Sequence, residues 1–249
     1  MEKLDYTDFG YEQVRVEAKR DRVLDLFDSV ANRYDLMNDL MSVGAHRGWK
    51  KFAAHISGLK YGDKVLDVAG GTGDMTRIFA PMVGENGNVT ICDLSHEMIH
   101  MGRNRLLDIG IYKNVAYVQG DAENLPFIDN SFDLICIAFG LRNLTDKSKA
   151  LRSMYSKLKY GSSILILEFS SVVVPGIREI YHKYSDSIIP LLGKVIARDE
   201  KSYRYLVESI RLHPDQETLK SMLEKAGFGR VKYFNLSGGV VAIHTAYKL

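Results

Sequence analysis

The chain is poor in cysteine: its 249 residues include two, Cys92 and Cys136, each inside an apolar run. Buried free thiols in a reducing compartment are the expectation, not a disulfide framework. The Cys/His spacing of a zinc site is also missing, so no metal is expected. Neither sign of charge dominates, since 33 Lys and Arg face 31 Asp and Glu, a net +2. A nucleic-acid partner would usually demand a far stronger basic excess, and none is expected. No run approaches the ~18 apolar residues of a membrane span. The longest apolar stretch, Ile164 to Val174, is cut by Glu168 and by serines. The opening "MEKLDYTDFG" has neither a signal peptide's apolar core nor the Arg- and Ser-rich composition of a transit peptide. What remains is an ordinary globular composition, 46% apolar and 26% charged, with the cytoplasm as the expected location.

From Lys64 onward, strand and helix patterns alternate. "KVLDVA", "NVTICDLS", "VAYVQGDA", "FDLICIAFGL" and "SSILILEFS" read as five buried strands. Helical segments lie between them at Thr72–Val83, His96 to about Asp108, and Asp146–Leu158. Near-continuous apolar strands joined by helices predict a doubly wound, mostly parallel α/β sheet. "GRVKYFNL" and "VVAIHTAYKL", separated by Ser-Gly-Gly, predict an antiparallel hairpin at the sheet edge and bring the strand count to seven. Two segments fall outside this core. One lies within residues 1–60, helical from 14 to 57, with Val23, Phe27, Val30 and Tyr34 at helical spacing. The other is a helical insertion over residues 175–211, where Ile177, Ile180, Tyr181, Tyr184, Ile188, Leu191 and Leu192 recur at helical period and Pro190 ends or kinks a helix. A single domain is expected, residues 1–60 forming an N-terminal cap and 175–211 a cover over the substrate.

Between the first strand and its helix runs "VLDVAGGTGDMT". Such a turn offers backbone N–H groups and the positive end of a helix to a ligand. It lacks the lysine of a phosphate-binding P-loop. It has Gly71 and Gly73, but Thr76 stands where the dinucleotide fingerprint needs a third glycine. A smaller or less anionic ligand fits better, such as an amino-acid moiety on a nucleoside. Asp93 ends the second strand twenty residues beyond Gly73, placed to accept hydrogen bonds from a ribose diol. Asp121 ends the third, placed to read an adenine. The alternative for either aspartate is a helix cap.

These residues carry a resemblance. "VLDVAGGTG", "CDLS", "GDAENLPF" and "FDLICIAFGLRN" resemble class I S-adenosylmethionine-dependent methyltransferases, which have a Rossmann-like sheet. "VANRYDLMNDLMSVGAHRGWK", "FGLRNLTDKSKALRSMY", "SYRYLVESIRLHPDQETLK" and "GGVVAIHTAYK" look closely like the ubiquinone/menaquinone biosynthesis C-methyltransferases, over Phe9 to Leu249. The resemblance implies S-adenosyl-L-methionine contacts at Thr72, Asp93 and the Asp121–Ala122 pair. It implies transfer of a methyl group to a ring carbon of a polyprenylated quinol, a methoxy-polyprenylbenzoquinol, demethylmenaquinol or both. Ala138 departs from the serine of many bacterial relatives, and "LKYGS" from the usual Leu-Lys-Pro-Gly-Gly. An O- or N-methyltransferase of another lipophilic molecule, or a non-catalytic binder of the cofactor, is the alternative.

Arg142 and Asn143, after the fourth strand, are the catalytic candidates. Arginine stays protonated, so its work would be to hold a phenolate oxygen or orient a water, while Asn143 fixes the ring. The competing assignment for Arg142 is a surface pair with Asp146. His213 is a second candidate base, or simply a residue at a helix start. Tyr34 either closes over the cofactor or packs in the core, and His46 and Trp49 read as packing. Lys183, Lys194, Arg198 and Arg204 among apolar residues suggest peripheral contact with the inner face of a membrane. A homo-oligomer or a complex of quinone-biosynthesis enzymes is left open.

Overall fold

Strands without a polar face must be covered on both sides, and a computed structural model, describing residues 6–30, 38–39, 42–185 and 200–249, shows how. The chain begins with β1 (Tyr6–Phe9), β2 (Glu12–Arg15), α1 (Val16–Val30) and α2 (His46–Ile56). The alternating core follows: β3 (Lys64–Val68), α3 (Asp74–Val83), β4 (Asn88–Asp93), α4 (His96–Asp108), β5 (Val115–Gln119) and β6 (Phe132–Ala138). After a short 3-10 turn, Leu141–Asn143, come α5 (Lys147–Lys157), β7 (Leu158–Phe169), α6 (Ile177–Lys183) and α7 (Glu200–Arg211). The chain closes with α8 (Gln216–Lys225), β8 (Gly229–Leu236) and β9 (Val241–Tyr247).

The seven-stranded sheet has the order β5-β4-β3-β6-β7-β9-β8. Only β9 runs against its neighbours, so the expected hairpin forms with its second strand inserted beside β7. Alternation sends Leu134 and Cys136 to one face, under Phe79 and Val83 of α3, Trp49 of α2 and Tyr203 of α7. Ile135 and Ile137 face the other way, under Leu151 and Met154 of α5 and Leu219 and Leu223 of α8. Cys92 and Cys136 are buried and unbridged.

Strand order reverses between β3 and β6, the crevice where open α/β sheets bind ligands. Both strands end there in a left-handed non-glycine residue, Ala69 (φ 49°) after β3 and Phe139 (φ 57°) after β6. Such backbone costs about 1–3 kcal/mol per residue and concentrates at functional sites. The bend at Phe139 stops β6 at Ala138, short of the "FDLICIAFGL" extent, and feeds the 3-10 turn.

The additions differ from expectation. Ahead of the expected helical span 14–57, and taking Val14 and Arg15 from it, β1 and β2 pair as a hairpin around Gly10 (φ 60°) and Tyr11. The insertion supplies α6 and α7, and α7 buries Tyr203, Leu206 and Val207 in the core, so part of its apolar stripe is packing. Tyr34, Ile188, Pro190, Leu191, Leu192, Lys194 and Arg198 lie outside the described residues. Among the described residues no helix is long and apolar enough to cross a membrane.

Helix α4 presses on the turn after β3 through Gly102, where a Cβ would sit 2.7 Å from the Gly71 carbonyl oxygen. Gly102→Ala therefore has to displace backbone, at about 1–3 kcal/mol for overpacking. A lowered melting temperature together with weaker cofactor binding is expected; a melting curve and titration like those of the parent would show that α4 does not set the turn.

Candidate active site

The glycine turn is held in place by acids. Asp67, in the buried interior of β3, accepts from the Thr76 N–H (3.1 Å) and hydroxyl (2.7 Å), tying the strand to the first turn of α3. Burial pushes its carboxyl up to about 7, against the pull of those hydrogen bonds. Asp74 at the start of α3 pairs with Lys50 of α2 (2.6 Å) and Arg105 of α4 (3.0 Å). Burial works to raise the Asp74 pKa, but these cations hold it below the usual value. Arg105 also donates to the Thr72 hydroxyl (3.3 Å).

Across the crevice, Asp93 accepts from the Gly71 N–H and the Ser95 N–H, each at 2.9 Å. Burial raises its pKa while the backbone donors oppose the shift. A carboxylate has about four lone-pair sites, so these backbone donors leave acceptor capacity toward the cavity. The Ser95 hydroxyl caps α4 by accepting from Met98 N (3.0 Å) and itself donates to Asp28 of α1. Ser95, and neither aspartate, is the cap of α4, which removes the cap alternative for Asp93.

These residues open onto a cavity of about 460 Å³. Gly71, Asp93, Asp121 and Ala122 line it on the sheet side, and Ala69, Phe139 and Asn143 at the strand ends. Helix α1 forms the opposite wall with Glu17, Arg20, Val23 and Phe27, and Arg20 pairs with Asp121 at 3.3 Å. Thr72 and Gly73 are not in the lining: Thr72 faces Arg105, and a Cβ on Gly73 would meet Leu106 at 2.9 Å.

Arg142 and Asn143, adjacent in sequence, part company in space. Asn143 reaches the cavity, and its Oδ1 accepts from the Tyr205 hydroxyl (3.2 Å). Arg142 is absent from the lining and buried, its Nη1 bonded to Glu168 Oε1 (2.7 Å) and to the Phe139 carbonyl. The pairing with Asp146 is thereby overturned, since Asp146 caps α5 by accepting from Lys149 N (2.8 Å). Glu168 also accepts from the Arg142 N–H (3.2 Å), clamping the 3-10 turn to β7. His213 is buried near Arg142 and Lys147, outside the cavity lining; burial, then those cations, push its pKa well below the usual value. Neither ring nitrogen has a hydrogen-bond partner among the described residues. Trp49 packs against Phe139 and Phe169, and His46 pairs with Asp39 at 2.9 Å. Among the described residues no cluster of His, Cys, Asp or Glu could hold a metal.

Sequence reasoning missed the α1 wall, the Lys50–Asp74–Arg105 network and Glu168. Glu168 had left a signal, a charge inside an otherwise apolar strand.

A seven-stranded sheet with one reversed strand, a glycine turn after β3 and an acid ending β4 defines the class I methyltransferase fold. A SAM-dependent methyltransferase structure from Aquifex aeolicus superposes at a TM-score of 0.62, with 22% identity, covering 89% of this chain and 98% of that one. Residues 15–248 match the ubiE/COQ5 methyltransferase family, and the chain belongs to it. The ubiquinone/menaquinone biosynthesis C-methyltransferase UbiE of Idiomarina loihiensis is 56% identical over 241 residues, 97% of this chain and 96% of that one. Its counterpart in Hahella chejuensis is 54% identical over 248 residues, 100% of both.

The raised Asp67 pKa has a consequence for stability. The folded state holds a proton that the unfolded chain releases near pH 4, so this group costs stability as pH rises from about 4 through about 7. Asp67→Asn keeps an oxygen for Thr76 and carries no charge. Its melting temperature is expected to fall less steeply over that interval than the parent's; parallel curves would place the titration elsewhere.

Proposed function

We propose that this enzyme transfers a methyl group from S-adenosyl-L-methionine to a ring carbon of a polyprenylated quinol, a methoxy-polyprenylbenzoquinol, demethylmenaquinol or both. The observation that carries the cofactor assignment is Asp93, oriented by backbone N–H groups and left with acceptor capacity at the cavity wall. A ribose diol supplies the two donors that such a carboxylate can take. Gly71 lies beside it for the amino-acid moiety, with Thr72 and Gly73 fixing the turn from behind. Asp121 and Ala122 border the adenine end. When bound, the cofactor supplies an electrophilic methyl group on a sulfonium.

The chain's own residues do the rest. Helix α1 and the strand ends enclose the reacting groups and exclude water. Asn143 meets the ring oxygen, which gives its proton to water and carries negative charge as the ring carbon attacks; the displaced ring hydrogen then leaves as a proton to water. Arg142, matched by Glu168, holds the turn that bears Asn143. Residues 1–60 act as the cap over the cofactor and 175–211 as the cover over the ring and prenyl tail, within one domain. Val174 and Ile177 are exposed and both lie against Gly238, with Arg178 alongside, a surface suited to peripheral contact at the inner face of a membrane from the cytoplasm.

Purified enzyme, a prenylated quinol and cofactor carrying a trideuterated methyl group test the reaction. The product is expected to gain that methyl in place of a ring hydrogen and still to oxidise to a quinone, which an O-methylated quinol cannot do. No labelled product, or a product that resists oxidation, removes the assignment. Asp93→Ala is expected to weaken cofactor binding about ten- to a hundred-fold, the loss of a charge-assisted hydrogen bond of roughly 1.5–3 kcal/mol. Unchanged affinity by calorimetry in the folded variant would move the ribose elsewhere. Flotation with anionic liposomes at low salt checks the membrane surface: the parent is expected to float, and Val174→Glu with Ile177→Glu to stay behind.

A further inference from the structure

We infer that Tyr205 is a positioning residue for Asn143, fixing its amide so that the NH2 group faces the cavity and Asn143 meets the substrate as a hydrogen-bond donor. The inference deepens the quinol reading given above and rests on it for the identity of the acceptor.

Three residues far apart in sequence meet at this point. The Tyr205 hydroxyl, on α7, donates to Asn143 Oδ1 at 3.2 Å. The other side of the tyrosine is fixed by Phe9 of β1, whose ring stacks on it with centroids 4.3 Å apart and planes 26° apart. Tyr205 is 4% exposed and Asn143 8%, so neither side chain has water to offer an alternative partner freely. An asparagine amide has an oxygen that accepts and a nitrogen that carries two donors. With the oxygen committed to Tyr205, the nitrogen is what the amide can present to the cavity that Asn143 lines. Burial pushes the Tyr205 hydroxyl up to about 12, so it remains a donor throughout the working pH range. The amide therefore cannot be flipped by the tyrosine becoming an anion.

The chemistry favours this orientation. A quinol hydroxyl that gives up its proton becomes an acceptor, and an N–H facing it lowers the cost of the negative charge. The reversed amide would place a carbonyl oxygen against that charge. Docking of the N-terminal hairpin reinforces the arrangement, because the Tyr11 N–H donates to Glu208 of α7 at 3.0 Å, one turn beyond Tyr205.

Tyr205→Phe keeps the stack on Phe9 and removes only the hydroxyl. Its kcat for the quinol is expected to fall about ten-fold, equivalent to ~1.4 kcal/mol, with affinity for S-adenosylhomocysteine within about two-fold of the parent. Tyr205→Phe added to Asn143→Ala is expected to cost nothing further in kcat, since both remove one device. A readout independent of turnover is the side-chain NH2 resonance of Asn143 in isotope-labelled protein, identified by its loss in Asn143→Ser. It is expected to shift in Tyr205→Phe. An unmoved resonance, an unchanged kcat, or full additivity with Asn143→Ala overturns the inference. Should the parent fail to methylate any prenylated quinol, the functional reading falls, while the resonance still decides whether Tyr205 orients the amide.

Discussion

The hydrogen bond from the Gly71 N–H to Asp93, 2.9 Å long, joins the two elements that make this pocket. Gly71 belongs to the turn after β3 and Asp93 to the end of β4, parallel neighbours whose ladder alone would leave both ends splayed into solvent. The bond brings the turn over the strand end, and α4 then packs beneath it with only Gly102 thin enough to approach. The same carboxylate takes the Ser95 N–H, whose side chain caps α4 and reaches Asp28 on α1. One acid therefore sets the turn, the start of a helix and, at one remove, the opposite wall of the cavity. That economy has a cost: Asp93 sits where burial disfavours its charge, and it is tolerated because backbone hydrogen bonds satisfy it.

A second buried charge governs the other half of the site. Glu168 and Arg142 are each 2% exposed at their side chains and 2.7 Å apart. Desolvation makes such a pair a weak contributor to net stability, yet removing one partner typically costs about 3–5 kcal/mol. Its geometric effect is specific. Glu168 lies one residue before the end of β7 and grips both the backbone and the side chain of Arg142, while Arg142 reaches the Phe139 carbonyl at the left-handed bend. The strained residue and the 3-10 turn are thus fastened to the neighbouring strand. An apolar pair of equal volume would fill the space without dictating where Asn143 points.

How far the sequence spoke for the site follows from the range of each interaction. Asp93 and Asp121 were legible because strand ends in a parallel sheet share one edge, so sequence position implies spatial position. The doubly wound sheet was legible for the same reason, from apolar runs punctuated by helices. Arg142 was singled out for chemistry, with a surface pair to Asp146 as the alternative; its partner stands 26 residues on, in the adjacent strand. Register between strands is not written in any local pattern. The hint was chemical: a glutamate in "SSILILEFS" has to be paired, and a nearby arginine at a strand end is the natural partner. The β1–β2 hairpin was invisible because its four-residue strands and Gly-Tyr turn carry little local signal, and its anchor, Glu208, lies 197 residues further along the chain.

The distribution of contacts also says which wall of the cavity gives way when a ligand enters. The sheet wall is continuous hydrogen-bonded strand, with buried side chains on both faces. Helix α1 lines the site with Val16, Val23, Leu24 and Phe27, the last packed on the core, and is tied down by a few polar contacts. Arg20 with Asp121 is a half-exposed pair, Lys19 donates to the Leu144 carbonyl at 3.3 Å, and Asp28 meets the Ser95 hydroxyl. The Arg20–Asp121 pair contributes little, roughly 0–1 kcal/mol, and burial with the neighbouring Lys147 lowers the Lys19 pKa to about 8, which weakens its hold as pH rises. Opening along α1 breaks these contacts and the packing of Phe27, whereas opening the sheet breaks the core. Low local stability is what an entrance requires, and here it coincides with the segment that lies across the acids at the strand ends.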